Sequence, residues 1–513
     1  MKSETLKPVE GPALVLMTVA VSLGIFMNVL DTSIANVAIP TIAGNMAVSA
    51  DQGTWVITSF TVSMAIVLPI TGWLARRFGE VRLFCFSTLL FTLASILCGL
   101  STSLPMLVVF RVIQGAVAGP MIPLSQSLLL AHFPPEKQGL ATGLWAMVAV
   151  AAPVIGPILG GYITDTYSWP WIFYINLPVG LFSVYFTWAI LRDRETEREK
   201  LPIDYIGLIL LAIGVGCLQI LLDQGKDLDW FNSNVIWILT IISTISLSFF
   251  IVWELTEAHP IVDLTLFKSR NFTIGTVAIS LGYMTFFGSV VVLPLWLQTQ
   301  MNYTATWAGL ATAPLGILPI ILSPLIGRVM SCVDLRIIVS IGFLFFGGCS
   351  FWLSMFNTDI TFGQVALIRF VQGVGAPCFF IPLITMLLSG LPNNRIASAA
   401  GLSNFTRILA GSFGTSISVT LWTHRESIHQ SKLVESLTSY NLQMGHALKQ
   451  LQALGLSINS SFAQITNVVV RQAYMLATND VFWVSGFIFF SLLILVWFAR
   501  PPFLAKGTRP AVD

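Results

Sequence analysis

Long runs without a charged residue alternate with short polar breaks along the whole chain. Residues 138–164, for example, carry no charged side chain, and about 20 apolar residues suffice for a helix to cross a bilayer. Fourteen such runs predict membrane-spanning helices near residues 14–37, 54–75, 83–100, 105–128, 139–163, 171–191, 205–222, 235–253, 272–297, 306–327, 337–356, 362–388, 398–421 and 481–499. The pattern therefore predicts an all-α polytopic membrane protein.

The distribution of lysine and arginine predicts how these helices are oriented. Basic residues are concentrated in the breaks on one side, whereas the short loops on the other side hold only Lys226. Because short cytoplasmic loops carry the excess of Lys and Arg, we expect both termini in the cytoplasm and residues 423–480 as the single long outer loop, polar and partly helical. The first residues lack the features of a removed signal peptide, so we expect the first span to be retained.

Composition narrows the class of protein further. Hydrophobic residues make up 55% of the 513 positions and charged residues only 10%, against about 25% charged in soluble domains. The six cysteines lie in predicted spans or inner loops, so we expect no disulfide framework. The chain has no phosphate-binding loop, no metal-type spacing of His and Cys, and no nucleophile elbow. We therefore expect no metal, no cofactor and no enzymatic activity, and an ion gradient as the energy source.

A short motif occurs twice, at corresponding places in the topology. Residues 111–115 read R-V-I-Q-G in the predicted fourth span, and residues 369–373 read R-F-V-Q-G in the twelfth. Both segments begin just inside the same face, so the chain is predicted to contain two parallel six-helix halves, residues 1–200 and 261–513, with two inserted helices in residues 201–260. Parallel repeats with a substrate path between them are typical of secondary transporters.

The predicted fifth span is rich in residues that are costly in a water-exposed helix. Its small-residue segment contains Pro153, Gly156, Pro157, Gly160 and Gly161. In a membrane, small residues allow a neighbouring helix to approach closely, so we expect a tight helix seam here. Ordinary helix packing explains the segment as well as a functional motif does.

Five segments carry a resemblance to a known family. They are L-D-T-S-I-A-N-V-A-I-P (residues 30–40), G-W-L-A-R-R-F-G-E-V-R-L (72–83), R-V-I-Q-G (111–115), G-P-I-L-G-G (156–161) and W-P-W-I-F-Y-I-N-L-P-V-G (169–180). In this order they resemble motifs of the fourteen-span drug:proton antiporters of the major facilitator superfamily. The resemblance covers almost the whole chain.

This resemblance implies the major facilitator fold and proton-coupled export of hydrophobic or amphipathic drugs through the bacterial inner membrane. It also implies two partners, a periplasmic membrane fusion (adaptor) protein and an outer-membrane channel. The small-residue segment of the fifth span would be the antiporter motif, and Gly72, Arg77, Gly79 and Arg82 would belong to a cytoplasmic gate loop. The chain departs from the family where Arg76 stands in place of the usual acid, which puts a gating salt bridge from that acid in doubt.

Asp31 is the only acid well inside a predicted span. An intramembrane acid is costly and commonly faces a cavity or a proton path, so we predict Asp31 as the proton-coupling residue. Helix geometry places Arg111 at a similar depth and makes it the expected partner. An ion pair that serves packing alone is the alternative. Further substrate-cavity candidates are Asn36, Gln114, Gln372, Asn404, Arg369 and Arg407, although the amides could equally serve helix-to-helix bonding.

Several functions remain compatible with this pattern. The leading hypothesis is proton-coupled drug export, because the fifth-span segment resembles that of antiporters and weighs against import. Export of a specific metabolite or fatty acid and nutrient import by proton symport use the same architecture. A sensor or channel is the third class, which the lack of a sizeable predicted cytoplasmic domain disfavours.

Overall fold

The computed structural model describes residues 9–48, 50–134, 137–199, 202–225, 228–258, 260–330, 332–435, 437 and 442–503. Within these residues the chain forms helices joined by short connections, with no strand. The predicted all-α class is therefore confirmed.

Ten helices form the first helix group. They are α1 Gly11–Asn45, α2 Ala50–Gly53, α3 Trp55–Val67, α4 Thr71–Phe78, α5 Glu80–Gly99, α6 Leu104–Ala118, α7 Met121–His132, α8 Gln138–Thr166, α9 Trp171–Tyr174 and α10 Asn176–Leu191. Two more, α11 Tyr205–Gln224 and α12 Asn234–Thr256, lie between the groups, with 3₁₀ turns at Trp230–Asn232 and Leu264–Lys268.

The second helix group contains the remaining nine helices. They are α13 Arg270–Gln300, α14 Ala305–Thr312, α15 Ile317–Val329, α16 Leu335–Leu353, α17 Phe362–Gln372, α18 Gly375–Leu388, α19 Asn393–Glu435, α20 Leu442–Ala453 and α21 Ile458–Val496, with a 3₁₀ turn at Ala313–Gly316.

Proline and glycine explain why several spans consist of two helices. Pro69 lies in the break between α3 and α4, where the axis bends by 62°. Pro120 and Gly119 separate α6 from α7, and Pro314 lies in the 3₁₀ turn between α14 and α15. Because proline removes a backbone donor and its ring collides with the preceding turn, these breaks follow directly from the sequence.

The number of spans agrees with the sequence prediction. Among the described residues, eleven helices are long and apolar enough to cross a membrane, and the bent pair α3 and α4 makes a twelfth span. The long helices α8 and α19 occupy the positions of the predicted fifth and thirteenth spans. The structure is therefore consistent with fourteen crossings. The orientation stays a prediction, and residues 1–8 and 504–513, which include both termini, lie outside the described residues.

The predicted outer loop, residues 423–480, is largely helical in its described residues, in line with the prediction of a partly helical segment. Helix α19 continues to Glu435 without a break, and α21 already begins at Ile458. At about 1.5 Å per residue, α19 is roughly 64 Å long and α21 roughly 58 Å, about twice the thickness of a hydrocarbon core. The two membrane helices therefore extend well beyond the bilayer on this side.

The inserted helix α11 lies between the two helix groups. Asp223 accepts a hydrogen bond from Thr58 of α3, and Gln219 donates to Ser412 of α19 over 2.8 Å. One helix thus contacts both groups. The division of the chain at residues 200 and 260 stays a prediction, and residues 200 and 201 lie outside the described residues.

The groups approach each other most closely at one end of the bundle, which we call the basic end because its loops carry Arg76, Arg82 and Arg192. There, a Cβ placed on Gly143 of α8 would lie 2.6 Å from the carbonyl oxygen of Ser323 in α15. A Cβ on Gly401 of α19 would lie 2.9 Å from the carbonyl oxygen of Leu68. Glycine therefore allows close backbone contact between the two groups at the basic end.

The small-residue segment of α8 packs against α1. A Cβ on Gly156 would overlap Ser33, and one on Gly160 would lie 3.1 Å from Ile34. Gly161, in contrast, faces open space, because consecutive helical residues point about 100° apart. The expectation that all three glycines form the seam is therefore wrong for Gly161. The side chains of Pro153 and Pro157 lie outside the described residues, although helix α8 runs through both positions.

We expect Gly160→Leu to lower the free energy of unfolding by about 1–3 kcal/mol, because the larger side chain overpacks the seam between α1 and α8. Gly161→Leu is the matched control and should change it by less than about 0.5 kcal/mol. The measurement is reversible unfolding of the purified protein in mixed micelles. Equal effects of the two substitutions would contradict the assigned seam.

Candidate functional site

A buried ion pair joins α1 to α6. Arg111 donates from Nη1 to Oδ2 of Asp31, and the two side chains are 0% and 1% exposed. Helices α1 and α6 run in opposite directions through the bundle. Asp31 on α1 and Arg111 on α6 therefore lie at the same depth. The sequence prediction that Asp31 and Arg111 lie side by side is thus matched by the geometry.

The Asp31 carboxylate accepts two more hydrogen bonds. Gln114 Nε2 and Asn176 Nδ2 donate to Oδ1 over 3.3 and 3.1 Å. Asn176 also donates to the hydroxyl of Ser95 over 2.9 Å. Since every neighbour is a donor, the arrangement suits an ionised carboxylate. We call Asp31, Arg111, Gln114 and Asn176 the acid network.

Arg111 is fixed by more than the ion pair. Its Nε donates to the carbonyl oxygen of Val56 over 2.9 Å, and its Nη1 also donates to Oε1 of Gln114 over 2.8 Å. The guanidinium carbon lies 4.2 Å from the ring centre of Phe60, a cation–π distance. Helices α1, α3, α6 and α10 therefore meet at one charged centre, while Nη2 of Arg111 has no acceptor among the described residues.

One member of the acid network was not predicted. Asn176 lies in the W-P-W-I-F-Y-I-N-L-P-V-G segment that carries part of the family resemblance, and the structure places it beside the acid. Asn36, predicted as a cavity residue, is exposed and donates to the backbone carbonyl of Thr32 one turn back on its own helix. Its place in a substrate cavity stays a prediction.

The second helix group repeats the arginine–glutamine pair without the acid. Arg369 Nη1 donates to Oε1 of Gln372 over 2.8 Å, the same distance as between Arg111 and Gln114. Its other terminal nitrogen donates to the backbone carbonyl of Ser289 over 3.0 Å. Within the described part of the chain, no carboxylate pairs with Arg369. The two predicted residues therefore contact each other but do not reproduce the acid network.

Asn404 and Arg407 form a separate buried pair on α19. Arg407 Nη2 donates to Oδ1 of Asn404 over 2.6 Å, and its guanidinium carbon lies 4.9 Å from the ring centre of Tyr283. Neither residue is among the contacts of the acid network. The predicted cavity residues are therefore distributed over four places, with Gln114 in the acid network, Arg369 beside Gln372, Arg407 beside Asn404, and Asn36 apart from all of them.

The predicted gate loop contains a tight turn that is held by hydrogen bonds to an acid far away in the sequence. Gly79 has φ +91°, a conformation that strongly favours glycine. The carboxylate of Glu195 accepts hydrogen bonds from the backbone nitrogens of Val81 and Arg82 over 3.0 and 2.9 Å. These donors are at the start of α5, where a negative charge is favourable.

Other members of the gate loop have different contacts. Gly72 packs so closely on Ser398 of α19 that a Cβ would overlap it, and the Arg77 guanidinium lies 5.5 Å from the ring centre of Trp73. The Arg82 side chain is half exposed and 3.8 Å from Glu195. An acid therefore does lie beside this loop although Arg76 replaces the usual one, and it comes from the segment after α10.

We expect Asn176→Leu to lower the free energy of unfolding by about 1–3 kcal/mol, because a donor to a buried carboxylate is lost. Asn36→Leu is the matched control, since Asn36 is exposed and outside the network, and should change it by less than about 0.5 kcal/mol. Reversible unfolding in mixed micelles measures both variants. The same free energy for Asn176→Leu and wild type would show that this hydrogen bond contributes nothing to stability.

Comparison with known proteins agrees with the geometry. A family model described as Major Facilitator Superfamily matches residues 21–415. The chain is 55% identical over 502 residues to multidrug export protein EmrB of Escherichia coli (strain K12), covering 98% of both chains. It is 48% identical over 500 residues to fatty acid resistance protein FarB of Neisseria gonorrhoeae, covering 98% of this chain and 99% of that protein.

A solved structure supports the fold independently. The proton:xylose symporter XylE matches 94% of this chain and 95% of its own, with 15% sequence identity and a TM-score of 0.59. At this identity the likeness concerns the fold alone. Together, the family match and the closely similar relatives establish that the chain belongs to the Major Facilitator Superfamily.

Proposed function

We propose that the chain is a proton-coupled antiporter that exports hydrophobic or amphipathic compounds. The observation that carries the proposal is the acid network, in which one buried carboxylate holds together helices of the first group. The relatives named for multidrug export and for fatty acid resistance support export as the direction of transport.

Protonation of Asp31 gives the network a second state. A neutral carboxyl no longer forms an ion pair with Arg111, and its hydroxyl becomes a donor facing other donors. Because Arg111 also bonds to Val56, loss of the ion pair weakens the attachment of α1 to both α6 and α3, while Asn28 of α1 still donates to the carbonyl oxygen of Ala118 in α6. Gly156 and Gly160 of α8 contact α1 just beyond Asp31, so a movement of α1 is transmitted to α8.

The energy available from one proton suffices for such a cycle. One charge moved through 100 mV yields about 2.3 kcal/mol, and one pH unit contributes about 1.4 kcal/mol. For a neutral cargo, the total corresponds to a concentration ratio of several hundredfold at about 1.4 kcal/mol per tenfold.

We predict that Asp31→Asn abolishes drug-driven proton movement, because it keeps the size of the side chain and removes its titration. Asp31→Glu should retain part of the activity. The measurement is proton flux in reconstituted vesicles after addition of drug, scanned over pH. Glu80→Gln is the control for another buried acid, since Glu80 accepts from Ser127 at the basic end and lies outside the acid network.

A wild-type pH profile for Asp31→Asn would eliminate Asp31 as the proton carrier. The direction of flux is a second discriminator, because drug and protons moving the same way would favour symport over antiport.

We further propose that the chain resides in the bacterial inner membrane with both termini in the cytoplasm, organised as residues 1–200, 201–260 and 261–513. In this orientation the extensions of α19 and α21 project into the periplasm. Trp422 donates to Thr478 over 2.8 Å, and Arg425 and His429 contact Asp480 over 2.6 and 2.7 Å. These bonds hold the two extensions together.

The two extensions and the segment that connects them are the proposed docking place for a periplasmic adaptor protein that leads to an outer-membrane channel. Large apolar side chains are exposed there, among them Leu454 after α20 and Ile458 and Phe462 of α21, and Leu454 is 79% exposed. Apolar residues exposed outside the membrane segments are suited to a protein partner.

We predict that Leu454→Glu combined with Phe462→Glu abolishes export from cells that contain the adaptor and channel, yet leaves transport in reconstituted vesicles unchanged. Gln452→Glu combined with Gln464→Glu is the matched control, because it adds the same charge at exposed polar positions. Survival curves at increasing drug concentration and vesicle transport form the two measurements. Normal resistance in the cells with the Leu454 and Phe462 variant would exclude this surface as the docking place.

A further inference from the structure

Among the described residues, three arginines are buried in the bundle core, and they differ in whether a counter-charge is present. Arg111 has Asp31, whereas Arg369 and Arg407 have no carboxylate within ion-pair distance in the described part of the chain. A buried charge without a counter-charge costs several kcal/mol. Both unmatched charges belong to the second helix group.

Accessibility separates these two unmatched arginines. Arg369 is 1% exposed, and both of its terminal nitrogens donate to protein oxygens. Arg407 is 9% exposed, and among the described residues only its Nη2 has an acceptor, the Asn404 side chain. Its Nε is buried without an acceptor, as is the Nε of Arg369. Arg407 is therefore the more exposed of the two arginines and the one with more unused donors.

The surroundings of Arg407 are aromatic on one side. Tyr283 lies under the guanidinium, and its ring centre is 4.4 Å from that of Phe287 and 5.8 Å from that of Phe380. A cation with unused donors next to an apolar aromatic surface has the chemistry to bind an amphipathic anion. The carboxylate of such a compound would accept hydrogen bonds from the Arg407 guanidinium, and its apolar part would contact the aromatic rings.

The position of Arg407 is also that expected of a substrate contact. Its neighbours Phe405 and Ile408 pack against a core cluster of the first helix group that contains Met27 and Phe60. Arg407 therefore lies on the stretch of α19 where the two groups face each other, which is where parallel-repeat transporters bind substrate.

We propose that Arg407, positioned by Asn404 and Tyr283, is a specificity-determining residue that binds the carboxylate of amphipathic acids. This inference rests on the proposed export function and adds the group that selects acids from neutral compounds of the same shape. In this proposal Asp31, paired with Arg111, binds the proton, and Arg407, which has no counter-charge among the described residues, binds the acid.

The test compares two probes that differ only in charge, dansyl-labelled undecanoic acid and its primary amide. Each is titrated into full-length protein in nanodiscs of phosphatidylcholine at mildly alkaline pH, where the acid is ionised, with empty nanodiscs subtracted. We expect Arg407→Gln to weaken binding of the acid at least tenfold and to leave the amide unchanged. Unchanged amide binding also shows that the variant is folded.

Two further variants sharpen the comparison. Arg407→Lys keeps the charge and should retain much of the preference for the acid, although it loses the planar fork of donors. Arg369→Gln removes a more deeply buried guanidinium whose two terminal nitrogens already donate to protein oxygens, and should retain wild-type binding of the acid. Equal loss in Arg369→Gln and Arg407→Gln, or equal loss of acid and amide in Arg407→Gln, would overturn the proposal.

A competition experiment distinguishes a carboxylate site from a general anion site. Chloride at a concentration that leaves amide binding unchanged should not displace the acid, and displacement of the acid by chloride would overturn the assignment. Because binding is measured without a proton gradient, its outcome is independent of whether Asp31 carries the proton.

Discussion

An ionised carboxylate inside a membrane can persist only with a partner, and much of the first helix group is arranged around that requirement. The cost of an isolated charge in hydrocarbon explains why Asp31 is surrounded by donors from α6 and α10 and why Arg111 is itself tied to α3. Removing either partner leaves the other charge buried and alone, which is more costly than the pair is stabilising. This centre thus joins α1, α3, α6 and α10.

The two helix groups use related residues for different chemistry. The Arg–Gln pair has the same geometry in both, but in the second group a backbone carbonyl of α13 stands where the first has a carboxylate of α1. A repeat of this kind preserves helix packing while the charge balance diverges. The first group is locally neutral at this depth, and the second retains excess positive charge. That difference separates a place suited to protons from one suited to anions.

The sequence predicted the features that depend on local or periodic properties. Charge-free runs located the membrane helices, although not the full length of α19 and α21, and helix rise alone placed Asp31 level with Arg111. It failed where contacts join distant segments. Nothing local indicates that Asn176 reaches Asp31, or that Glu195 clamps the turn at Gly79 more than a hundred residues earlier. The sequence predicted helix in the outer loop but not its extent, because the hydropathy falls while α19 and α21 continue. Gly161 was wrongly assigned to the seam because adjacent residues of a helix face different sides.

The uninterrupted extensions of α19 and α21 have a mechanical consequence. Each is one continuous hydrogen-bonded rod from the membrane core to a point roughly 30 Å outside it, and side-chain bonds around Asp480 tie the two rods together. A tilt of about 10° inside the membrane would sweep the outer tip through roughly 5 Å, given this helix rise. A movement of the buried core would therefore be amplified at the outer tips of both helices.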